Sequence, residues 1–228
     1  HSELQKKQAI AAYHAMVTMA DHHVGRMLEG LEDLGLADST IVVFTSDHGF
    51  QLDEHGGLWR KQFQFDESIR VPLIVRLPDG KGAGTVSNRI VELVDLYPTL
   101  TELAALPDPE HDLEGSSFVL LLDKPDRPWK SAAFSASRRM AGSSSSNNPL
   151  MTQEGHDGQT IRTARYRYTE WTPLGRPGDI LAELYDLEQD PMEYNNLDDD
   201  PTHASLITEL SARLARGWQG ELPPSSGN

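Results

Sequence analysis

The sequence predicts an α/β fold followed by a smaller α+β unit that a helix closes, on three observations. Residues 4–34 keep apolar side chains at helical three-and-four spacing, and a short turn then leads into the β-branched run 41–45. Helix, turn and buried strand make half of an α/β repeat. Residues 160–171, TIRTARYRYTEW, alternate as a strand hairpin does, and residues 202–217 put Leu206, Leu210 and Leu214 on one face of a helix.

Taken in order, the first helix is carried by Ile10, Tyr13, Val17, Ala20, Val24, Met27, Leu28, Leu31 and Leu34, and Gly35 suits its C-terminal cap. His22 and His23 lie within it, but neighbours on a helix diverge by about 100° and share no face. Residues 36–40 connect to the strand 41–45, whose unbroken apolar run predicts full burial. A loop dense in Asp, Glu, His and Gly follows, up to Lys61. A second strand is expected over 71–77, with Pro72 at its entry or on an edge. A helix is expected over about 95–105, with Pro98 in the first turn, where its missing N–H costs nothing.

Composition shifts after Leu106. We therefore divide the chain into an α/β portion (1–106), a Pro- and Asp-containing linker (107–130), a small α+β subdomain (131–220) and a disordered tail (221–228). Within the subdomain, strands are expected over 131–137 and 183–187. Residues 138–158 read as a long polar loop around SSSSNN.

Net charge is -15, so the chain offers no basic face to neutralise the phosphates of a nucleic acid. No apolar run approaches the length of a membrane span. The absence of cysteine excludes disulfides, thiolate metal sites and a cysteine nucleophile within these 228 residues.

The chemistry concentrates at residues 40–61, TIVVFTSDHGFQLDEHGGLWRK. Asp47 and His48 end the first strand, at the edge where open α/β sheets bind ligands. A carboxylate supplies charge for a divalent cation and a neutral imidazole a directional lone pair. Gly49 permits a sharp turn or a close approach. Two ligands are too few for a cation such as Ca²⁺, which takes about six to eight oxygens. Asp53, Glu54, Asp66 and Glu67 have the right chemistry to add to them, but their spacing selects none. Lys61 on the same loop suits an anionic group bound beside the cation.

FTSDHG, then EHG, W-x-K and ESIRVPLIV, resembles the sulfatases of the alkaline phosphatase superfamily. VELVDLYPTL and LYDLEQDPMEYNNL look like later markers of that family, and IRTARYRYTEW is similar to the C-terminal sheet of its iduronate-2-sulfatase-like branch. The resemblance implies the C-terminal part of an alkaline-phosphatase-like mixed-sheet domain, then a small α+β domain with a four-stranded antiparallel sheet and a closing helix. It implies hydrolysis of sulfate esters by a formylglycine hydrate, with Ca²⁺ held in part by Asp47 and His48. Lys61 matches the lysine that contacts the sulfate, with Arg60 a rival because the loop is one residue longer here. Phe50 falls near the substrate, and His55 behind the ligands. Arg138 and Arg139 are candidates for reading a carboxylate or second sulfate on a sugar.

The chain has neither the C-x-P-x-R nor the S-x-P-x-R motif in which formylglycine is made. The resemblance therefore implies the C-terminal half of a sulfatase, inactive alone. Its partners would be a sulfated small molecule or glycan and the missing N-terminal half of the same enzyme, in a periplasmic or secreted setting. Two other readings stand beside it: a phosphonate or phosphodiester hydrolase of the same superfamily, and a non-catalytic subunit completing a partner's site.

Overall fold

The computed structural model describes residues 2–107, 109–139, 155–174 and 180–224. Helix α1 spans Glu3–Asp33. Ser2 and Gln5 form a capping box at its start, the Gln5 N–H donating to Ser2 Oγ (3.3 Å) and the Ser2 N–H to Gln5 Oε1 (2.8 Å). Gly35, at φ +66°, ends it: the Gly35 N–H donates to Glu32 O and the Leu36 N–H to Leu31 O, which satisfies two terminal carbonyls. None of the 31 residues is buried, so α1 lies on the surface with Met16, Val17, Met19 and Met27 exposed.

Strand β1 (Val42–Thr45) pairs antiparallel with β4 (Leu73–Arg76), Phe44 opposite Ile74. The predicted full burial of the first strand is wrong. Phe44 is 42% and Ile74 60% exposed, because β4 is the one strand paired with β1 and nothing among the described residues covers their shared face. Every pairing among the described residues is antiparallel. Between these strands lie β2 (Gln51–Leu52), the single turn α2 (Glu54–Gly57), β3 (Trp59–Arg60) paired with β2, and the single turn α3 (Asp66–Ile69). Helix α4 (Leu96–Leu103) carries Pro98 in its first turn, as expected.

Residues 107–130, read from sequence as a linker, hold the short helix α5 (Val119–Asp123). Phe118 and Leu121 are buried, the Phe118 N–H donates to Thr99 Oγ1 (3.0 Å), and the Ser116 N–H donates to Asp95 Oδ1 (2.7 Å). Asp108 lies outside the described residues.

The C-terminal sheet is an antiparallel meander, β5 (Ala132–Arg139), β6 (His156–Thr163), β7 (Tyr166–Pro173) and β8 (Leu181–Asp186). Helix α6 (Ala204–Arg216) closes one face, where Leu210 and Leu214 bury against Ala132, Ile161, Tyr168 and Leu184. On the other face Trp171 and Tyr185 bury against Leu58, Phe63 and Phe65 from the loop after the first strand. Period-two alternation sets this division: Tyr168 faces α6, while Trp171 faces the loop. The residue that begins the expected tail, Glu221, is buried; Arg213 donates to both its carboxylate oxygens and Ser131 to one of them. Residues 225–228 lie outside the described residues.

Candidate active-site edge

The loop leaving β1 is held by its own backbone. Ser46 Oγ donates to His48 O (2.7 Å), and the Gly49 N–H donates to Ser68 O (2.7 Å) at the end of the Phe65–Ser68 turn. A Cβ on residue 49 would stand 2.0 Å from Glu67 O, so glycine is required here by close approach. Four of the residues 53–57 then take left-handed backbone: Asp53 at φ 87°, His55 at 50°, Gly56 at 78° and Gly57 at 106°. This is why the EHGG segment carries two glycines.

These constraints bring Asp47, His48 and Lys61 together. His48 Nδ1 lies 2.8 Å from Gly49 O. A carbonyl oxygen only accepts, so Nδ1 carries the hydrogen and Nε2 of the neutral ring presents its lone pair. Nε2 lies 3.3 Å from Asp47 Oδ2 and in hydrogen-bond contact with Lys61 Nζ. Asp47 is open to solvent, its side chain 83% exposed. Arg60, the rival of Lys61, sits on β3 opposite Gln51 and outside this cluster.

The donor set fits part of a divalent-cation site. One carboxylate oxygen and one imidazole lone pair converge, and a cation using both must displace Lys61 Nζ from Nε2. Two donors do not fill a shell, and no group of three or more His, Asp or Glu placed for a metal occurs among the described residues. The four further acids are engaged elsewhere. Asp53 accepts from Trp59 Nε1 (3.1 Å) and pairs with Lys6 Nζ (2.7 Å); Glu54 accepts from the Leu52 N–H. Asp66 pairs with Arg167 (3.1 Å), and Glu67 with His55 Nε2 (3.2 Å).

His55 lies behind the cluster. It is buried, stacks on Phe65 (centroids 3.7 Å apart, planes at 8°) and binds Glu67. Burial pushes the Glu67 carboxyl up, but the hydrogen bond from His55, a backbone N–H and the charges of His55 and Arg167 outweigh it and hold the group below its usual range. Phe50 packs on Tyr13 of α1, with centroids 5.2 Å apart, which fixes the outer wall of the loop.

Arg138 and Arg139 belong to β5 rather than to the polar loop, and residues 140–154 of that loop lie outside the described residues. Adjacent strand residues point to opposite faces, so these two side chains do not share one ligand. Arg138 forms a two-pronged pair with Asp157 directly across the sheet (2.7 and 3.1 Å). That pairing raises the arginine and lowers the aspartate from their ordinary values. Arg139 is 2% exposed with its guanidinium over the Phe63 ring (5.7 Å), and burial lowers its pKa.

Sequence reasoning assigned no role to Arg167 and Glu193 and offered Asp66 only as a possible metal ligand; the three form an ion cluster between β7, the turn after β8 and α3, with Arg167 and Glu193 buried. The available signal was parity: Arg167 shares its strand face with Thr169 and Trp171, all buried.

Residues 2–106 match the family model described as Sulfatase. The chain is 33% identical to iduronate 2-sulfatase of Mus musculus over 252 aligned residues, covering 87% of this chain and 45% of that protein. A solved structure of a protein in complex with its substrate D-glucosamine-2-N,6-O-disulfate superposes with TM-score 0.72 at 30% identity, covering 88% of this chain and 38% of the other. The phosphonate monoester hydrolase of Agrobacterium radiobacter superposes with TM-score 0.74 at 28% identity, covering 90% and 40%. The chain thus spans less than half the length of each of these relatives. Residues 2–106 belong to the sulfatase family, and the likeness to sulfatases continues through most of the remaining chain.

Proposed function

We propose that this chain supplies one side of the active site of a sulfatase that hydrolyses sulfate esters of a sugar. In this reading Asp47 and His48 hold a divalent cation, Ca²⁺, and Lys61 meets the sulfate. The observation that carries it is the approach of both Asp47 Oδ2 and Lys61 Nζ to His48 Nε2, with the imidazole tautomer set by Gly49 O. The solved relative with a disulfated glucosamine supports a sulfated sugar as the substrate class.

When bound, the cation withdraws charge from the sulfate oxygens and lowers the pKa of the hydroxyl nucleophile beside it, which in this family belongs to a formylglycine hydrate. Residues 1–228 contain no motif for making that group, so we place it on another segment of the enzyme. The chain's own residues then act electrostatically. With Asp47 and His48 holding the cation, Lys61 would be free of His48 Nε2 to neutralise charge developing on the sulfate oxygens. The Nδ1–H bond to Gly49 O keeps Nε2 aimed. Phe50, held by Tyr13, bounds the substrate, and His55 orders the loop through Glu67. Arg139 packs over Phe63 beneath the loop, and Arg138 serves the sheet through Asp157. The exposed apolar face of β1 and β4 supports a partner segment completing the domain; alone the chain would be inactive. A periplasmic or secreted location rests on the family alone.

In an enzyme reconstituted with the segment that carries the nucleophile, Asp47→Asn is expected to weaken Ca²⁺ binding at least about tenfold in calorimetric titration, since the carboxylate charge is lost from the site. Unchanged affinity would overturn the assignment. In the same reconstituted enzyme, Lys61→Ala should lower kcat/KM about 10²- to 10³-fold.

The phosphonate monoester hydrolase neighbour favours a second reading, hydrolysis of a phosphonate or phosphodiester at the same edge. An aryl sulfate set against an aryl phosphate diester separates the two, sulfate turnover supporting the first.

A further inference from the structure

The site loop is tied to the C-terminal sheet by an unbroken series of directional contacts. Arg167, on β7, donates through Nε to Glu193 Oε1 and through Nη2 to Asp66 Oδ1 (3.1 Å). Glu193 Oε2 in turn accepts the backbone N–H of Asp66 (2.9 Å), so both the side chain and the backbone of the first residue of α3 are gripped. Within the turn, the Ser68 N–H donates to Phe65 O (2.8 Å), and Ser68 O accepts the Gly49 N–H (2.7 Å). Gly49 O then accepts His48 Nδ1–H (2.8 Å). Arg167 and Glu193 are each buried to 1% exposure.

We infer that Arg167 and Glu193 are positioning residues for His48, acting through α3 and Gly49. The inference deepens the function proposed above, because it names what holds the imidazole of that site in place. Two features set this cluster apart from an ordinary structural ion pair. The Glu193 carboxylate spends one oxygen on a backbone N–H of the turn, which fixes the turn's orientation and not only its proximity. The turn presents the one carbonyl that the Gly49 N–H meets, at a place where a Cβ would collide with Glu67 O, so the loop has little room to shift without losing that bond. A displaced α3 therefore moves Gly49 O away from Nδ1, and the ring loses the acceptor that selects its tautomer.

The test uses the full 228-residue chain with ¹⁵N-histidine and ¹⁵N-glycine labels, at about pH 8, where an unperturbed imidazole is neutral. The wild-type His48 ring should show one tautomer, hydrogen on Nδ1, and Gly49 should show a slowly exchanging amide. Glu193→Gln, which offers one acceptor where there were two, should give a mixture of tautomers at His48. Amide exchange at Gly49 should accelerate at least about tenfold, while the amides of Ile161 and Leu184 in the sheet core keep their protection. If Glu193→Gln fails to fold, Asp66→Asn, a partly exposed position whose contacts with Arg167 and Arg162 lose their charge, carries the same expectation. A folded variant with unchanged His48 tautomer and Gly49 exchange overturns the inference, as does loss of protection spread evenly over sheet and loop. The readout needs neither metal nor substrate. Failure of the sulfatase reading, seen as phosphonate turnover or absent Ca²⁺ binding in the reconstituted enzyme, is thus distinguishable from failure of this one.

Discussion

Gly49 shows how much one missing methyl group decides. Its amide bonds Ser68 O, its carbonyl orients His48, and a Cβ would lie 2.0 Å from Glu67 O. Gly49→Ala should therefore cost about 1–3 kcal/mol of stability in urea denaturation, an overpacking penalty, and weaken Ca²⁺ binding with it. Glu183 carries a prediction of a different kind. Burial raises its carboxyl from the ordinary 4.5 to about 7, opposed by the hydrogen bond from Trp171 Nε1 and the charge of Arg167. Between these values the folded state holds a proton that the unfolded chain has released. This group therefore makes stability fall as pH rises from about 4.5 to about 7, by on the order of 3 kcal/mol in total. Glu183→Gln should be more stable than the parent at pH about 8 and about equal to it near pH 4.5. A constant gap across that range, measured by denaturation at both ends, would count against it. Asp47, His48, Gly49 and Lys61 were legible as candidates because they share one loop of fifteen residues, 47–61. The separation of Arg138 from Arg139 was not, because it depends on β5 extending through both of them.

Among the elements, β5 is where the two parts of the chain are joined. Lys130, just before it, donates to Asp95 Oδ1 (2.6 Å) and Glu92 Oε2 (2.8 Å) ahead of α4, and Glu92 Oε1 accepts the Phe134 N–H (2.8 Å). Asp95 is fully buried, so its charge relies on that lysine. Lys130→Ala should destabilise the chain by about 3–5 kcal/mol, because it strands a buried carboxylate. A loss below about 1 kcal/mol in chemical denaturation would place the charge compensation elsewhere. The alternating hairpin and the closing helix were readable from their periods, 2 and 3.6, since each buries one face locally. Residues 107–130 were read as a linker because Pro and Asp suggest irregular backbone. They do form irregular backbone, but its N–H groups are satisfied by Asp95 and Thr99 and its apolar residues by contacts distant in sequence.

At the scale of the molecule, apolar surface is distributed unevenly. The C-terminal sheet buries both faces, whereas α1 buries no residue and β1 and β4 present Phe44 and Ile74 on one open side. An open strand edge beside exposed apolar side chains favours association. The chain alone is expected to self-associate at micromolar concentration and bind a hydrophobic dye. The double substitution Phe44→Lys with Ile74→Lys should reduce both without unfolding the C-terminal sheet. Sedimentation that shows a monodisperse monomer across that range, with no dye bound, would argue that this face needs no cover.

The sequence alone determined what is local: the first helix and its end at Gly35, the hairpin and closing helix, the metal-suited Asp47-His48 pair at a strand end, and a marked likeness to sulfatases. Short-range periodicity, capping and backbone freedom control those features, and each is written within a few residues. Tertiary structure decided which nitrogen of His48 faces Lys61, and that the four other acids are engaged elsewhere. It also decided that strand 42–45 is half open and that the site loop rests on Arg167 and Glu193, more than a hundred residues downstream. Those outcomes depend on which distant groups meet to satisfy buried charges and backbone donors, and no periodicity in the chain encodes such meetings.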